Sequence, residues 1–217
     1  MTETAIILAA GRGKRLYGET TGRQKCAELF RGETILNHLI KQVEAVGVKE
    51  IICVVGHASE HVLDTTLSVS ANLQYCLDDN ICGTARSFRL TQSIITAENF
   101  MVLDGDIRLN EKDLRRLKEQ NTGLACGLFT EDFEAAPTHR LLIRQKNQYS
   151  ICKGSPSNSS IGRICGAWKM NLEMYNYCDQ HEDLAGCIER LDSSKKITYI
   201  DTSGQYKHFA VPADFCE

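Results

Sequence analysis

Two glycines and three basic residues follow directly on an apolar run near the start of the chain, in Ile6-Ile7-Leu8-Ala9-Ala10-Gly11-Arg12-Gly13-Lys14-Arg15-Leu16. Gly11 and Gly13 let backbone N–H groups converge on one point, and Lys14 and Arg15 add positive charge, so the turn suits a polyphosphate. Its spacing excludes two known phosphate loops. The dinucleotide fingerprint needs a third glycine where Leu16 stands, and the P-loop needs Ser or Thr where Arg15 stands. Taken alone, the turn equally suits a strand-to-helix connection with solvated basic side chains.

A second group is Val102-Leu103-Asp104-Gly105-Asp106, where an apolar run ends in two carboxylates. Strand alternation puts Asp104 and Asp106 on one side. Mg²⁺ takes one or two carboxylates and completes its shell with substrate phosphates, although Asp and Gly also end strands with no ligand involved. A third group, Cys82-Gly83-Thr84-Ala85-Arg86-Ser87, opens a helical segment running to about Ile95. Gly83 permits close backbone approach, and Thr84 suits either a sugar or base edge or a helix cap. His57 and His61 have the spacing of metal ligands but no third ligand nearby, so they are read as solvated or capping. The ten cysteines contain no Cys-x-x-Cys and are read as small buried hydrophobes or free thiols.

The elements that must position these residues follow from periodicity. Apolar runs at Ala5–Ala9, Ile51–Val55, Leu73–Cys76, Phe100–Leu103 and Leu124–Leu128 alternate with helical patterns. One such pattern holds Ile35, Leu36, Leu39, Ile40, Val43 and Val46. Another follows Asn110 as a cap and carries Leu114 and Leu117. This alternation predicts an α/β fold, a Rossmann-like three-layer α/β/α arrangement with a mostly parallel sheet. Ligands on such sheets bind beyond the carboxyl ends of the strands, so Gly11–Arg15 and Asp104–Asp106 are expected to open onto one crevice. From Arg140 the pattern changes to Leu141–Arg144, Tyr149–Cys152, Arg163–Met170 and Ile197–Ile200, broken by the polar stretch Ser155–Ser160. These pieces are read as a small mixed-sheet extension or lid, and the polar stretch as a surface connection.

At 217 residues the chain is expected to form a single domain. Its net charge of −3 with no long basic run argues against general nucleic-acid binding, and no apolar run is long enough for a membrane helix. The short first apolar run does not read as a signal peptide, so a cytoplasmic location is expected.

Taken in order, the motifs resemble the nucleotidyltransferases that make nucleoside-diphosphate sugars and related activated alcohols, the NDP-sugar pyrophosphorylase family. The resemblance covers most of the chain. That family's Leu-Ala-Ala-Gly-x-Gly-x-Arg matches Leu8 to Arg15, and the lysine of its Pro-Lys pair matches Lys25, with Gln24 replacing proline. Its Gly-Thr-Ala matches Gly83, Thr84 and Ala85, and its Gly-Asp metal motif matches Gly105 and Asp106. The resemblance implies a nucleotide-diphospho-sugar transferase fold, with residues 1–130 as nucleotide-binding core and 131–217 as acceptor-binding and lid region. It implies that Arg15 and Lys25 bind a nucleoside triphosphate, that Leu8, Ala9, Ala10 and Gly11 place base and ribose, and that Asp106 holds Mg²⁺. Lys153 resembles the lysine of a Glu-Lys-Pro segment that binds the acceptor phosphate, without the preceding acid. The implied reaction moves a nucleoside monophosphate onto a sugar phosphate or a small phosphorylated alcohol such as phosphocholine, releasing pyrophosphate. No protein base is required, because a phosphate monoester with a second pKa near ~6 is already largely dianionic at neutral pH.

Two departures stand out. Near the family's Asp-Thr-Pro-Glu-Asp segment, whose first acid often supplies a second metal ligand, this chain has Ala210-Val211-Pro212-Ala213-Asp214. That alignment puts Ala210 at the ligand position and leaves Asp214, Asp104, or phosphate and water to complete the shell. Asp78 lies five residues before Gly83, where uracil- and thymine-reading members often carry Gln. A carboxylate only accepts hydrogen bonds, which suits cytosine N4 and favours CTP, unless Asp78 points elsewhere and backbone atoms choose the base. The competing functions are a molybdopterin-type nucleotidyltransferase, which shares the opening motif, and a nucleotide-binding regulatory protein with impaired catalysis.

Overall fold

A strand covered on both faces needs apolar side chains at nearly every position, and β1 (Thr4–Ala9) supplies them. A computed structural model of the chain describes residues 2–17, 22–66, 69–130, 140–145, 148–154, 160–178, 183–189, 197–202 and 206–215. After β1 come α1 (Lys14–Tyr17), the hairpin strands β2 (Leu29–Phe30) and β3 (Glu33–Thr34), and α2 (Ile35–Ala45). They lead into β4 (Glu50–Val55), α3 (Ser59–Thr65), β5 (Asn72–Leu77), α4 (Thr84–Leu90), β6 (Asn99–Asp104), β7 (Ile107–Arg108), α5 (Glu111–Lys118) and β8 (Ala125–Phe129). The last third contributes β9 (Arg140–Gln145), β10 (Gln148–Lys153), β11 (Ser160–Asn171), α6 (Leu184–Glu189), β12 (Thr198–Asp201) and β13 (Lys207–His208).

Alternation along β1 sorts the core into two layers. Ala5, Ile7 and Ala9 pack with Leu36, Leu39, Ile40 and Val43 of α2 and with Leu114 and Leu117 of α5. Ile6, Leu8 and Ala10 face the other way, toward Phe88 of α4, Trp168 and Tyr175. Helices therefore cover both sides of the sheet, as the three-layer reading requires. Local signals set the helix starts: Thr34 accepts from the Asn37 amide at 3.1 Å and Asn110 from the Asp113 amide at 2.8 Å. Each such cap is worth about 1 kcal/mol.

β1 pairs in parallel with both β4 and β6, and β4 with β5. Beyond β6 the expectation is refined. The twelve-residue β11 runs antiparallel to β6 and also pairs with β8 and β9, so the last third is built into the main nine-stranded sheet. The cause is burial: Cys165, Ala167, Trp168 and Met170 of β11 are almost wholly enclosed and could not lie at an edge. Residues 155–159 of the polar stretch fall outside the described residues. The eight cysteines whose side chains are described form no disulfide and six of them are buried, in line with the small-hydrophobe reading. No described helix is long and apolar enough to cross a membrane.

Candidate active site

The register of β1 against β6 sets Leu8 beside Asp104, so two segments nearly a hundred residues apart end at one sheet edge. A cleft of about 420 Å³ opens there, beyond the carboxyl ends of parallel strands. Leu8, Ala9, Ala10, Gly11, Gly13, Arg15, Lys25, Gly83, Thr84, Asp104 and Asp106 all line it. Lys153, Asp78 and Asp214 do not.

The opening turn turns its acceptors inward. The carbonyl of Leu8 accepts from the Gly105 amide at 2.9 Å and that of Ala10 from the His57 amide at 3.2 Å. The carbonyls of Ala9 and Gly11 accept from Gln24 Nε2, at 2.8 and 3.3 Å. What the turn then has to offer a ligand is N–H groups, which suits an anion. Gly13 sits at φ 62°, the left-handed conformation that glycine adopts without strain. Arg15 stands exposed on α1 at the cleft mouth.

Gln24 occupies the position where the family resemblance has proline, and it does what proline could not. Only 2% exposed, it also donates to the His57 carbonyl at 3.0 Å and accepts from the Cys26 amide at 3.3 Å. One side chain thereby locks the opening turn, the His57 loop and the turn carrying Lys25 together. Lys25 is 9% exposed, and its ammonium pairs with Asp106 Oδ2.

The same oxygen lies 3.2 Å from His208 Nε2. Burial raises the Asp106 carboxyl, but the Lys25 ammonium and His208 outweigh it and hold the group well below the usual carboxylate range. Asp104 goes the other way: burial first, then the charge on Asp106, pushes it up to about 8. A divalent cation bound between the two carboxyl groups would displace the Asp104 proton and relieve their mutual repulsion. No three His, Cys, Asp or Glu side chains converge as a preformed metal site among the described residues. The pair fits an ion such as Mg²⁺, which takes one or two carboxylates and fills its shell from phosphate and water.

Gly166 makes room for Asp104. The register of β11 against β8 slips between Ile164 and Trp168, and Gly166 inside the slip has φ 64°. A Cβ added there would overlap the Asp104 carboxylate. Gly166→Ala is therefore expected to lose roughly 1–3 kcal/mol of stability from backbone strain, with a further loss from the clash. Thermal melting checks this, and an unchanged melting temperature would remove Gly166 as a requirement of the site.

Three sequence expectations meet a different geometry. Asp78 is 1% exposed and faces its own helix, not the cleft: Oδ2 accepts from Ser87 Oγ at 2.7 Å, and Oδ1 from the Asn80 amide at 3.2 Å and Arg86 Nε at 3.3 Å. Its carboxylate shapes the loop before α4. Asp214 Oδ2 accepts from the amides of Ala210 and Val211 at 2.6 and 2.7 Å, closing the short turn Pro212–Phe215. Pairing of β13 with β7 and the 2.9 Å bond from the Phe209 amide to the Asp106 carbonyl put His208, and not Ala210, against Asp106. Lys153 is exposed on the edge strand β10, across from Arg140 of β9.

Arg140 and Arg163 in the cleft wall escaped the sequence reading. Arg140 is held by Asp183 at 2.7 Å and Glu189 at 2.6 Å. The Arg163 guanidinium lies over Phe129 and Tyr206, at 5.9 and 5.0 Å, and has no carboxylate partner among the described residues. A charged residue inside an otherwise apolar strand was the available signal. Thr84 accepts from the Leu184 amide at 2.9 Å, joining α4 to α6 across the cleft.

A mostly parallel sheet under two helical layers, with a basic turn and paired aspartates at one edge, defines a Rossmann-like nucleotide-diphospho-sugar transferase fold. The family model for nucleotidyl transferases matches residues 4–130, and the chain belongs to that family. A bifunctional protein GlmU from Methanococcus vannielii is 31% identical over 220 residues, taking in 97% of this chain and 52% of that protein. One from Methanococcus maripaludis is 36% identical over 103 residues, 48% of this chain and 24% of that protein. The chain thus spans about a quarter to a half of the length of the curated relatives it matches. Among solved structures, the inositol-1-phosphate CTP transferase from T. maritima superposes with TM-score 0.81 at 20% identity, covering 98% of this chain and 91% of that one. A UDP-glucose pyrophosphorylase from Acinetobacter baumannii gives TM-score 0.84 at 12% identity, covering 99% and 91%. At such identities the likeness is one of fold.

Proposed function

We propose that the chain transfers a nucleoside monophosphate from a nucleoside triphosphate to a phosphorylated small molecule, releasing pyrophosphate. The observation that carries this reading is the Lys25–Asp106 pair, set beside Asp104 and the opening turn at the carboxyl ends of β1 and β6. The site must align two mutually repelling anions and neutralise charge on the leaving group. Backbone N–H groups of the turn take up phosphate oxygens, with Arg15 at the mouth. Lys25 exchanges its Asp106 contact for the triphosphate, placing an ammonium where charge develops. Asp104 and Asp106 would hold a divalent cation, read from the sequence as Mg²⁺, which supplies further neutralisation of the triphosphate. The acceptor's own phosphate is the nucleophile and calls for no side-chain base.

Residues up to 130 then serve the nucleotide and the remainder the acceptor. For the acceptor phosphate Arg163 is the better-placed cation, since it faces the cleft while Lys153 stands outside. Arg163→Gln is expected to raise the acceptor KM about ten- to a hundredfold, the worth of a charged hydrogen bond, and to leave the triphosphate KM within about twofold. Steady-state kinetics with each substrate varied checks it. An unchanged acceptor KM would return the role to Lys153.

The base preference no longer rests on Asp78, whose oxygens are engaged within the fold. Backbone of Leu8–Gly11 and the Gly83–Thr84 corner is left to read it, and CTP is the triphosphate to try first because the T. maritima protein of this fold is named for CTP. A matrix of four nucleoside triphosphates against sugar phosphates, inositol phosphate, phosphocholine and a molybdopterin-type acceptor, scored by pyrophosphate release, tests the function. Triphosphate binding with no pyrophosphate from any pair would favour the non-catalytic regulatory reading.

A further inference from the structure

We propose that Gln24 is a positioning residue for nucleotidyl transfer, holding the opening turn and the Lys25 ammonium at the spacing that one triphosphate requires. The inference rests on the transferase reading above and adds to it a residue that works through its neighbours. The amide has two hydrogens, and three carbonyls lie within reach of its Nε2: Ala9 at 2.8 Å, His57 at 3.0 Å and Gly11 at 3.3 Å. The Gly11 contact is the longest and has to share a hydrogen, so Ala9 and His57 are the firm attachments. Oε1 accepts from the Cys26 amide, so the residues on either side of Lys25 are bonded to each other and the lysine leaves from a closed turn.

A strained loop is held against the same side chain. Ala58 takes the left-handed conformation, φ 49° and ψ 43°, which a residue with a Cβ keeps only where its surroundings fix it. Both backbone groups of His57, just before it, are committed: its amide donates to the Ala10 carbonyl at 3.2 Å and its carbonyl accepts from Gln24. Gly56 allows the close approach, since a Cβ there would lie 2.9 Å from the Asp78 carbonyl oxygen and 3.0 Å from Ala10. The strain at Ala58 thus serves to press the loop onto the turn that would hold the triphosphate. A proline at position 24, as the family pattern has, offers no side-chain donor or acceptor, and the Gln24 φ of −104° lies away from the proline value of about −65°. Loosening this brace leaves Lys25 its Asp106 partner while the opening turn shifts away from it. The loss should then fall on the triphosphate and on turnover and spare the acceptor, whose cation Arg163 lies on β11.

Gln24→Met and Gln24→Glu, compared with the wild type in steady-state kinetics and in calorimetric titration with the four nucleoside triphosphates, test this. Met matches the length without the amide's hydrogen bonds, and Glu keeps the acceptor for the Cys26 amide but loses both donors. Each is expected to lower kcat by about 10²-fold, the cost of a small misplacement near the chemistry. Each should also weaken triphosphate binding about tenfold and leave the acceptor KM within about twofold. A merely structural role would lower the active fraction and move neither the triphosphate affinity nor either KM. A folded Gln24→Met with wild-type kcat and triphosphate affinity overturns the proposal, as does a Gln24→Glu protein that behaves like the wild type. In the wild type, the Gln24 side-chain hydrogens are expected to exchange with solvent far more slowly than those of an exposed glutamine. Exchange as fast as in an exposed glutamine overturns the proposal whether or not the variants fold. Weaker triphosphate binding in the variants of a chain that releases no pyrophosphate would sink the transferase reading alone, and pyrophosphate release that the variants match would sink Gln24 alone.

Discussion

Lys25→Ala is expected to lower turnover by roughly 10²–10³-fold, the usual loss when one preorganised stabilising group is removed from a transition state. Burial makes the effect large. A lysine only 9% exposed cannot be replaced by a mobile surface lysine, and the Gln24 bonds tie its turn to the opening turn and the His57 loop. On the proposed mechanism the loss should fall mainly on kcat, with a smaller rise in the triphosphate KM, because an ammonium passed from Asp106 to the triphosphate would meet the most charge as pyrophosphate departs. Lys25→Arg keeps the charge in a larger, forked group and is expected to recover part of the rate. Single-turnover pyrophosphate release separates these outcomes, with melting temperature measured alongside. Near-normal turnover in a folded Lys25→Ala would remove Lys25 from the mechanism.

That the opening turn, Asp104 and Asp106 meet at one cleft was legible from local pattern, and Lys25, which lines the same cleft, was reached only through the family resemblance. The turn and the two aspartates sit where the buried apolar strands β1 and β6 end, and strand ends are read from local pattern, whereas Lys25 lies on a short turn of its own. Asn110 as the cap of α5 was legible for the same reason. What escaped depends on pairing across long separations. Nothing in the local pattern of β11 says that it inserts antiparallel between β6 and β8, so Arg163 could not be assigned to the cleft. β13 has two residues and no periodicity to read, so nothing in the local pattern says that His208 lies against Asp106. Asp78 misled differently. Its partners Arg86 and Ser87 are eight and nine residues on, at the start of α4, close enough to consume the carboxylate before a base could reach it.

Asp104→Asn is expected to make the protein more stable in a chelator, with a gain that grows with pH. Burial, and then the Asp106 charge, raise Asp104 to about 8 from an ordinary value of 3.8. Between those values the folded chain keeps a proton that the unfolded chain releases. Stability associated with that proton is full below about pH 4 and is lost as pH rises toward about 8. An asparagine cannot ionise and has no such slope, so the two proteins should melt together at the acid end and separate above it. A difference of about 1–2 kcal/mol at pH 8 would appear as a rise of roughly 5 °C for a chain of this size. Adding Mn²⁺ or Mg²⁺ should reverse the order, because a cation stabilises the wild type by mass action through the carboxylate that the variant lacks. Melting curves across pH, with chelator and with each cation, test both halves. Parallel pH slopes for the two proteins would show that Asp104 is not held protonated, and an equal cation response would remove it from the metal shell. The strain of keeping two carboxyls together is thus the same property that makes the site attract a dication, and Asp104→Asn gives up the second to relieve the first.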